Sequence, residues 1–292
     1  MAAMAIAERD VARREGTGAA LLDILANRRR AHAAADRVAV IVAHPDDETI
    51  GCGAQLHRLD NVTVVVATNG APRDGEDALA HGYASRASYA AARERELCDA
   101  LALANLPKSR IVEIGLSDQA AALHLADLVR AIHVLVAARD IRVVLTHAFE
   151  GGHPDHDATA FAVHAAAVLR RRRRQALDVI EMPFYHREDD GWMTQCFSRH
   201  LKQPATTVRL SPTEQRWKRR MLAAHTSQRA TLSLFNAEFE CFRLAPAYDF
   251  LSLPNGGELL YEAYDWGLAG ERWLELSRAA LGELDLADER WF

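Results

Sequence analysis

"RVAVIVAHPDDETIG", residues 37–51, is the stretch on which the fold turns. Six residues dominated by valine and isoleucine end at a turn, and helix-compatible residues follow. This is how the first strand of a doubly wound α/β protein runs into its first helix. In nucleotide-binding members of that class the turn carries glycines. Here it carries His44, Asp46, Asp47 and Glu48. The continuation "GCGAQL" (51–56) holds only the first half of G-x-G-x-x-G, with Leu56 at the third glycine position, so the dinucleotide fingerprint is missing.

Outward from this turn the same alternation repeats. Apolar, β-rich runs at 61–68, 110–116, 141–147 and 177–185 alternate with helical patterns at about 49–59, 84–104 and 121–139 and after the loop "AFEGGHPDH". The order predicts a Rossmann-like α/β fold, a mostly parallel sheet flanked by helices with right-handed crossovers. Residues 1–36 read as a helical or loose leader and 37–190 as the core. Residues 191–292, which hold the tryptophans and half of the tyrosines, read as a C-terminal part that completes the sheet and caps a pocket.

Bulk properties narrow the function classes. A net charge of −5 gives no basic field for nucleic acid, and the arginine run at 170–174 sits where a helix ends, a position that favours solvated cations. Four scattered cysteines with no C-x-x-C pair speak against a disulfide scaffold or a zinc ribbon and for a reducing, cytoplasmic setting. No apolar run of about 20 residues suggests a membrane span or a cleaved signal. Phosphate-loop, H-E-x-x-H and G-x-S-x-G signatures are all missing. Oligomeric state leaves no signal.

Ligands of open parallel sheets bind beyond the carboxyl ends of the strands. Two polar clusters fall there, "HPDDE" after the first strand and "HAFEGGHPDH" after the fourth, and in a doubly wound sheet these strands are commonly neighbours. His44, Asp46, Asp47, His153, Asp155 and His156 would then gather around one crevice. One His-Pro-Asp alone can be a helix-capping turn; two at strand ends point to a metal. Imidazole with carboxylate suits zinc and also the two-histidine, one-carboxylate face of iron(II) enzymes.

These residues resemble the PIG-L/LmbE family of metal-dependent N-acetylglucosamine deacetylases. The paired "HPDD" and "HPDH" carry the likeness, and "RERE" (93–96) and "KRRMLAAHTSQ" (218–228) fit looser family patterns. The resemblance implies that His44, Asp47 and His156 hold the metal, Zn²⁺ or else Fe²⁺ or another divalent ion. It also implies that Asp46 is the general base and that His153, oriented and kept charged by Asp155, stabilises the oxyanion. By family position Arg93, Asp118 and His225 are candidates to bind the sugar, and Glu48 is read as structural. The expected function is deacetylation of a small-molecule N-acetyl amino sugar conjugate. Alternatives are an amidase acting on a larger thiol, glycolipid or antibiotic conjugate, and a non-catalytic metal or ligand binder.

Overall fold

The computed structural model describes residues 17–27, 33–35, 37–189, 191–264 and 266–289; the first sixteen residues of the expected leader lie outside them. Strand β1 (Val38–Val42) leads into helix α2 (Asp47–Leu56), after an opening helix α1 (Thr17–Ala26). Next come β2 (Thr63–Pro72), the short α3 (Glu76–Ala80), α4 (Arg86–Leu103) and β3 (Ile111–Asp118). Helix α5 (Leu125–Ala138), β4 (Val143–His147), α6 (Pro154–Arg172) and β5 (Asp178–Met182) complete the alternation.

The seven-stranded sheet places β1 between β4 and β2, with β3 and β5 outside them, all parallel. The pairs Val38–Val143 and Val40–Leu145 put the carboxyl ends of β1 and β4 side by side. Alternation along β1 sends Ala39 and Ile41 into one apolar layer and Val38, Val40 and Val42 into the other, so the strand is buried on both faces. The mostly parallel α/β architecture expected from the sequence is the one observed.

The run at 177–185 divides in two. Pro183 interrupts it, and the chain leaves the sheet for a hairpin of β6 (Tyr185–Glu188) and β7 (Gly191–Thr194). Further on, β8 (Thr206–Arg209) and β9 (Phe239–Leu244) extend the sheet antiparallel beside β5, with α7 (Pro212–Ala224) between them in sequence. A last helix, α8 (Gly270–Glu283), closes the described chain. Arg171 and Arg172 from the arginine run pair with Glu289, so part of that run docks the C-terminal segment. The stretch Ala121–Ala138 is apolar and long enough to test as a span, but Leu128, Val129, Ile132 and Val136 bury it against the core.

Candidate metal centre and active site

At the junction of β1 and β4 the two His-Pro-Asp turns meet. His44 Nδ1 lies 3.2 Å from His156 Nε2 and 3.3 Å from Asp47 Oδ2, and His156 Nε2 lies 3.4 Å from Asp47 Oδ1. Two imidazole nitrogens and the Asp47 carboxylate, which turns a different oxygen to each ring, thus stand within 3.4 Å of one another. Bonds of about 2.0–2.1 Å to one tetrahedral ion require donor separations of about 3.3 Å, so the spacing fits a divalent cation. His44 Nε2 is 3.2 Å from Asp118 Oδ1 and 3.3 Å from Asp155 Oδ2. Carboxylates at that nitrogen hold its proton there and leave the Nδ1 lone pair facing Asp47 and His156. Burial lowers the Asp47 carboxyl's hold on its charge, but the imidazoles of His156 and His147 overcome that and keep its pKa well below the usual range.

His147, the last residue of β4, stands against this group without an assignment from the sequence. Its ring stacks on His156 at 4.1 Å, and its Nε2 lies 3.5 Å from Asp47. The same Nε2 accepts the backbone N–H of Ala43 at 2.8 Å. That bond uses the lone pair a metal would need, so His147 serves as a brace between the two turns rather than a ligand. Its position at a strand's carboxyl end was the one signal available in the sequence.

Asp46 is held in an unusual backbone conformation, φ +146°, just before α2. Glu48 accepts the Asp46 N–H at 3.2 Å and the Thr49 hydroxyl at 2.6 Å, which stabilises the turn. Arg93 donates to Asp46 Oδ2 at 2.9 Å, to Pro45 O at 3.0 Å and to Gly70 O at 2.8 Å. Burial pushes the Asp46 carboxyl up to about 6, against the pull of the Arg93 guanidinium and with a further push from Asp47.

The second turn is built differently. His153 is itself the N-cap of α6, its Nδ1 accepting the Asp155 N–H at 3.1 Å, with Pro154 at the first helical position. Gly152 is required before it, because a Cβ there would stand 1.9 Å from the Tyr185 carbonyl oxygen. Burial and the neighbouring His44 hold the His153 imidazole well below its ordinary pKa, which favours the neutral ring. With Nδ1 accepting, the single proton of that ring sits on Nε2.

Both turns line one cavity of about 460 Å³. Tyr185, Phe235 and Trp266 form an aromatic wall, and Asp74, Glu76 and Asp77 stand on another side. Trp266 reaches the His153 ring at 4.9 Å. His44, Asp46, Asp47, His153 and His156 all face this space, as do Arg93 and Asp118.

Three expectations need revision. Arg93 lines the cavity but is nearly buried, and its NH1 and NH2 groups donate to Gly70, Pro45 and Asp46, so beside any part in binding the sugar it supports the first turn. His225 is buried outside the cavity lining, 3.4 Å from Thr49 Oγ1 and 3.7 Å from Glu48. It backs the first turn from behind. Asp155 does not orient His153 through its carboxylate: that group accepts the N–H groups of Gln119 and Ala121 and faces His44. The carboxylate that His153 Nε2 faces is instead Asp118, at 3.8 Å, and its pull does not overcome burial. Asp118 lies on the cavity wall, but its Oδ1 is engaged with His44.

The looser motifs also meet. Glu96 accepts the Thr226 and Ser227 hydroxyls and the Ser227 N–H, and Gln228 donates to Tyr89. They tie α4 to the segment after α7, behind the first turn.

Residues 39–167 match the family model PIG-L, described as GlcNAc-PI de-N-acetylase. Among solved structures, the A40926 pseudoaglycone deacetylase Dbv21 is similar at 17% identity and a TM-score of 0.54, covering 72% of this chain and 97% of its own. N,N'-diacetylchitobiose deacetylase from Pyrococcus horikoshii is similar at 16% identity and a TM-score of 0.52, covering 79% and 93%. The zinc-inhibited form of teicoplanin deacetylase Orf2 is similar at 17% identity and a TM-score of 0.50, covering 71% and 97%. At such identities the likeness speaks to fold. No curated protein matches the chain in sequence.

Proposed function

Residues 39–167 carry a PIG-L domain, and from that premise we propose that this chain is a metal-dependent hydrolase that removes the acetyl group from an N-acetyl amino sugar conjugate. The observation that carries the reading is the close grouping of His44, Asp47 and His156 with a second buried carboxylate, Asp46, held by Arg93 on the wall of the same cavity. A binder of metal alone has no use for that second carboxylate.

A divalent cation held by the three residues, zinc or iron(II), would supply Lewis acidity and make a water acidic enough for a carboxylate to deprotonate. Asp46 accepts the proton of the attacking water, and Arg93 fixes the carboxylate through Oδ2. The raised pKa suits a group that must take a proton and then give it up. His153 presents Nε2–H to the acetamide oxygen as negative charge develops there. Trp266 packs on His153 and keeps the ring in place. Asp46, protonated by the attacking water, hands that proton to the departing amine, while the neutral His153 keeps its own and only hydrogen-bonds.

A second reading, amide hydrolysis on a larger conjugate, is favoured by the aromatic surface that leads away from the cavity. Trp192 stacks on Tyr185 at 4.9 Å and Tyr264 on Trp266 at 5.1 Å, with Trp192 donating to the Tyr264 hydroxyl. A bulky aglycone would find an apolar ledge there. The unpaired cysteines agree with a reducing, cytoplasmic setting for either substrate.

The test is to strip the purified protein with chelator, restore Zn²⁺ or Fe²⁺ stoichiometrically, and measure free amine released from N-acetylglucosamine and its alkyl and aryl glycosides. Amine release should need the metal. Asp46→Asn should bind metal normally and lose about 10²–10⁴-fold in kcat. Stoichiometric metal binding with no amine from any substrate would leave the binder reading standing.

A further inference from the structure

Helix α2, whose first turn supplies Asp47 and Glu48, is not continuous. At Cys52 the backbone leaves helical geometry, with φ −145° and ψ 20°. In an unbroken helix the Ala54 N–H would bond to the Ile50 carbonyl. Here both groups have partners from elsewhere in the chain. Lys218 on α7 donates to Ile50 O at 2.7 Å, and Glu240 on β9 accepts the Ala54 N–H through Oε1 at 2.8 Å. Lys218 and Glu240 pair with each other at 2.9 Å, and Glu240 Oε2 takes the Gln55 side-chain amide at 3.0 Å. Both charged residues are almost wholly buried. An ion pair has been inserted across the break in the helix.

Its surroundings tie this pair to the site. The "GCG" at 51–53 lets the helix bend where it presses on β5: a Cβ on Gly51 would stand 2.7 Å from Met182 Sδ. Helix α7 runs along α2 and touches it again through His225, beside Thr49 and Glu48. Glu48 in turn holds the strained backbone of Asp46. The break separates the half of α2 that ends at Leu56 from the half that begins with the turn carrying Asp46, Asp47 and Glu48.

We propose that Lys218 and Glu240 are positioning residues for the catalytic turn: by bridging the break at Cys52 they set the direction of the first turn of α2, and with it the placement of Asp47 toward the metal and of Asp46 beside it. This rests on the roles given to Asp46 and Asp47 above. The buried, mutually neutralised pair satisfies Ile50 O and the Ala54 N–H together, and its removal leaves both backbone groups without those partners.

The test uses Lys218→Met/Glu240→Leu, which removes both charges and keeps apolar volume. The double variant should melt cooperatively and show the parent's far-ultraviolet dichroism. Zn²⁺ affinity, measured by competition with a chromophoric chelator and no substrate, should weaken about ten-fold or more, the size of effect expected from a support of a ligand. With metal saturating, kcat for the best acetylated substrate should fall by a similar factor with KM little changed. A folded double variant with parental zinc affinity and kcat would overturn the proposal and leave the pair a merely structural one. Should the double variant fail to fold, Lys218→Arg and Glu240→Asp keep the charges and change the reach. Each should then show weaker zinc binding, and parental affinity in both would overturn the proposal equally. Zinc affinity is independent of what the substrate is, so an error about deacetylation would leave that result readable.

Discussion

The two His-Pro-Asp turns share three residues and almost nothing else. In the first, His44 lies two residues before the N-cap, Asp46 occupies the cap position at φ +146°, and its side chain caps nothing. In the second, His153 is the cap, its ring accepts a helix N–H, and Pro154 starts the helix in its preferred place. The tripeptide is therefore shifted by two positions against the helix it introduces. The second turn caps its own helix, and its Asp155 carboxylate ties it to the turn after β3. The first depends on distant residues, Glu48 beside it and Arg93, His225, Lys218 and Glu240 from other elements. That dependence leaves the Asp46 carboxylate uncommitted to capping, as the proton-transfer role proposed for it requires.

The comparison can be broken at either turn. After loss of Asp46 itself, the largest effect should come from the second: His153→Gln deletes the ring donor and should lower kcat by about 10²–10³-fold while zinc binding persists, as measured by chelator competition. A loss of zinc with activity would instead make His153 a ligand. Next, Arg93→Met releases the Asp46 carboxylate and should reduce kcat by about 10–100-fold with KM changed by no more than about two-fold. A rise in KM with kcat intact would return Arg93 to the sugar-binding role the sequence suggested. The smallest effect should be Pro154→Ala, about 0.4–1 kcal/mol of stability by urea denaturation with parental kcat, since only a pre-set φ is lost. A large activity loss there would show that the second turn is less self-sufficient than its capping implies.

What the sequence made legible is what local pattern controls. Valine and isoleucine runs placed the five parallel strands, and strand-end chemistry picked both turns. Adjacency of β1 and β4 followed from the ordinary winding of such sheets. Residues whose roles depend on partners far along the chain were read poorly. Arg93 sits in a charged helical run that looks like surface pairing, and only the fold shows its guanidinium closing on Asp46. Asp155 was matched with its sequence neighbour His153, whereas its carboxylate points across to His44 and to the turn after β3. His225 carried a family-like pattern but no hint of which side of α2 it would face. Strand β9 escaped notice because "FECFRL" alternates a glutamate and an arginine into positions that are buried and paired, Glu240 with Lys218 and Arg243 with Glu181.

The central claim is that one cation sits among His44, Asp47 and His156 while Asp46 stays unligated beside it. Crystals of the zinc-reconstituted protein, with anomalous differences recorded on both sides of the zinc edge, test it most directly. The account predicts a single peak about 2.0–2.2 Å from His44 Nδ1, His156 Nε2 and an Asp47 oxygen, with the Asp46 carboxylate outside bonding distance. A peak bonded to Asp46, or one centred on His147 or His153, would contradict it.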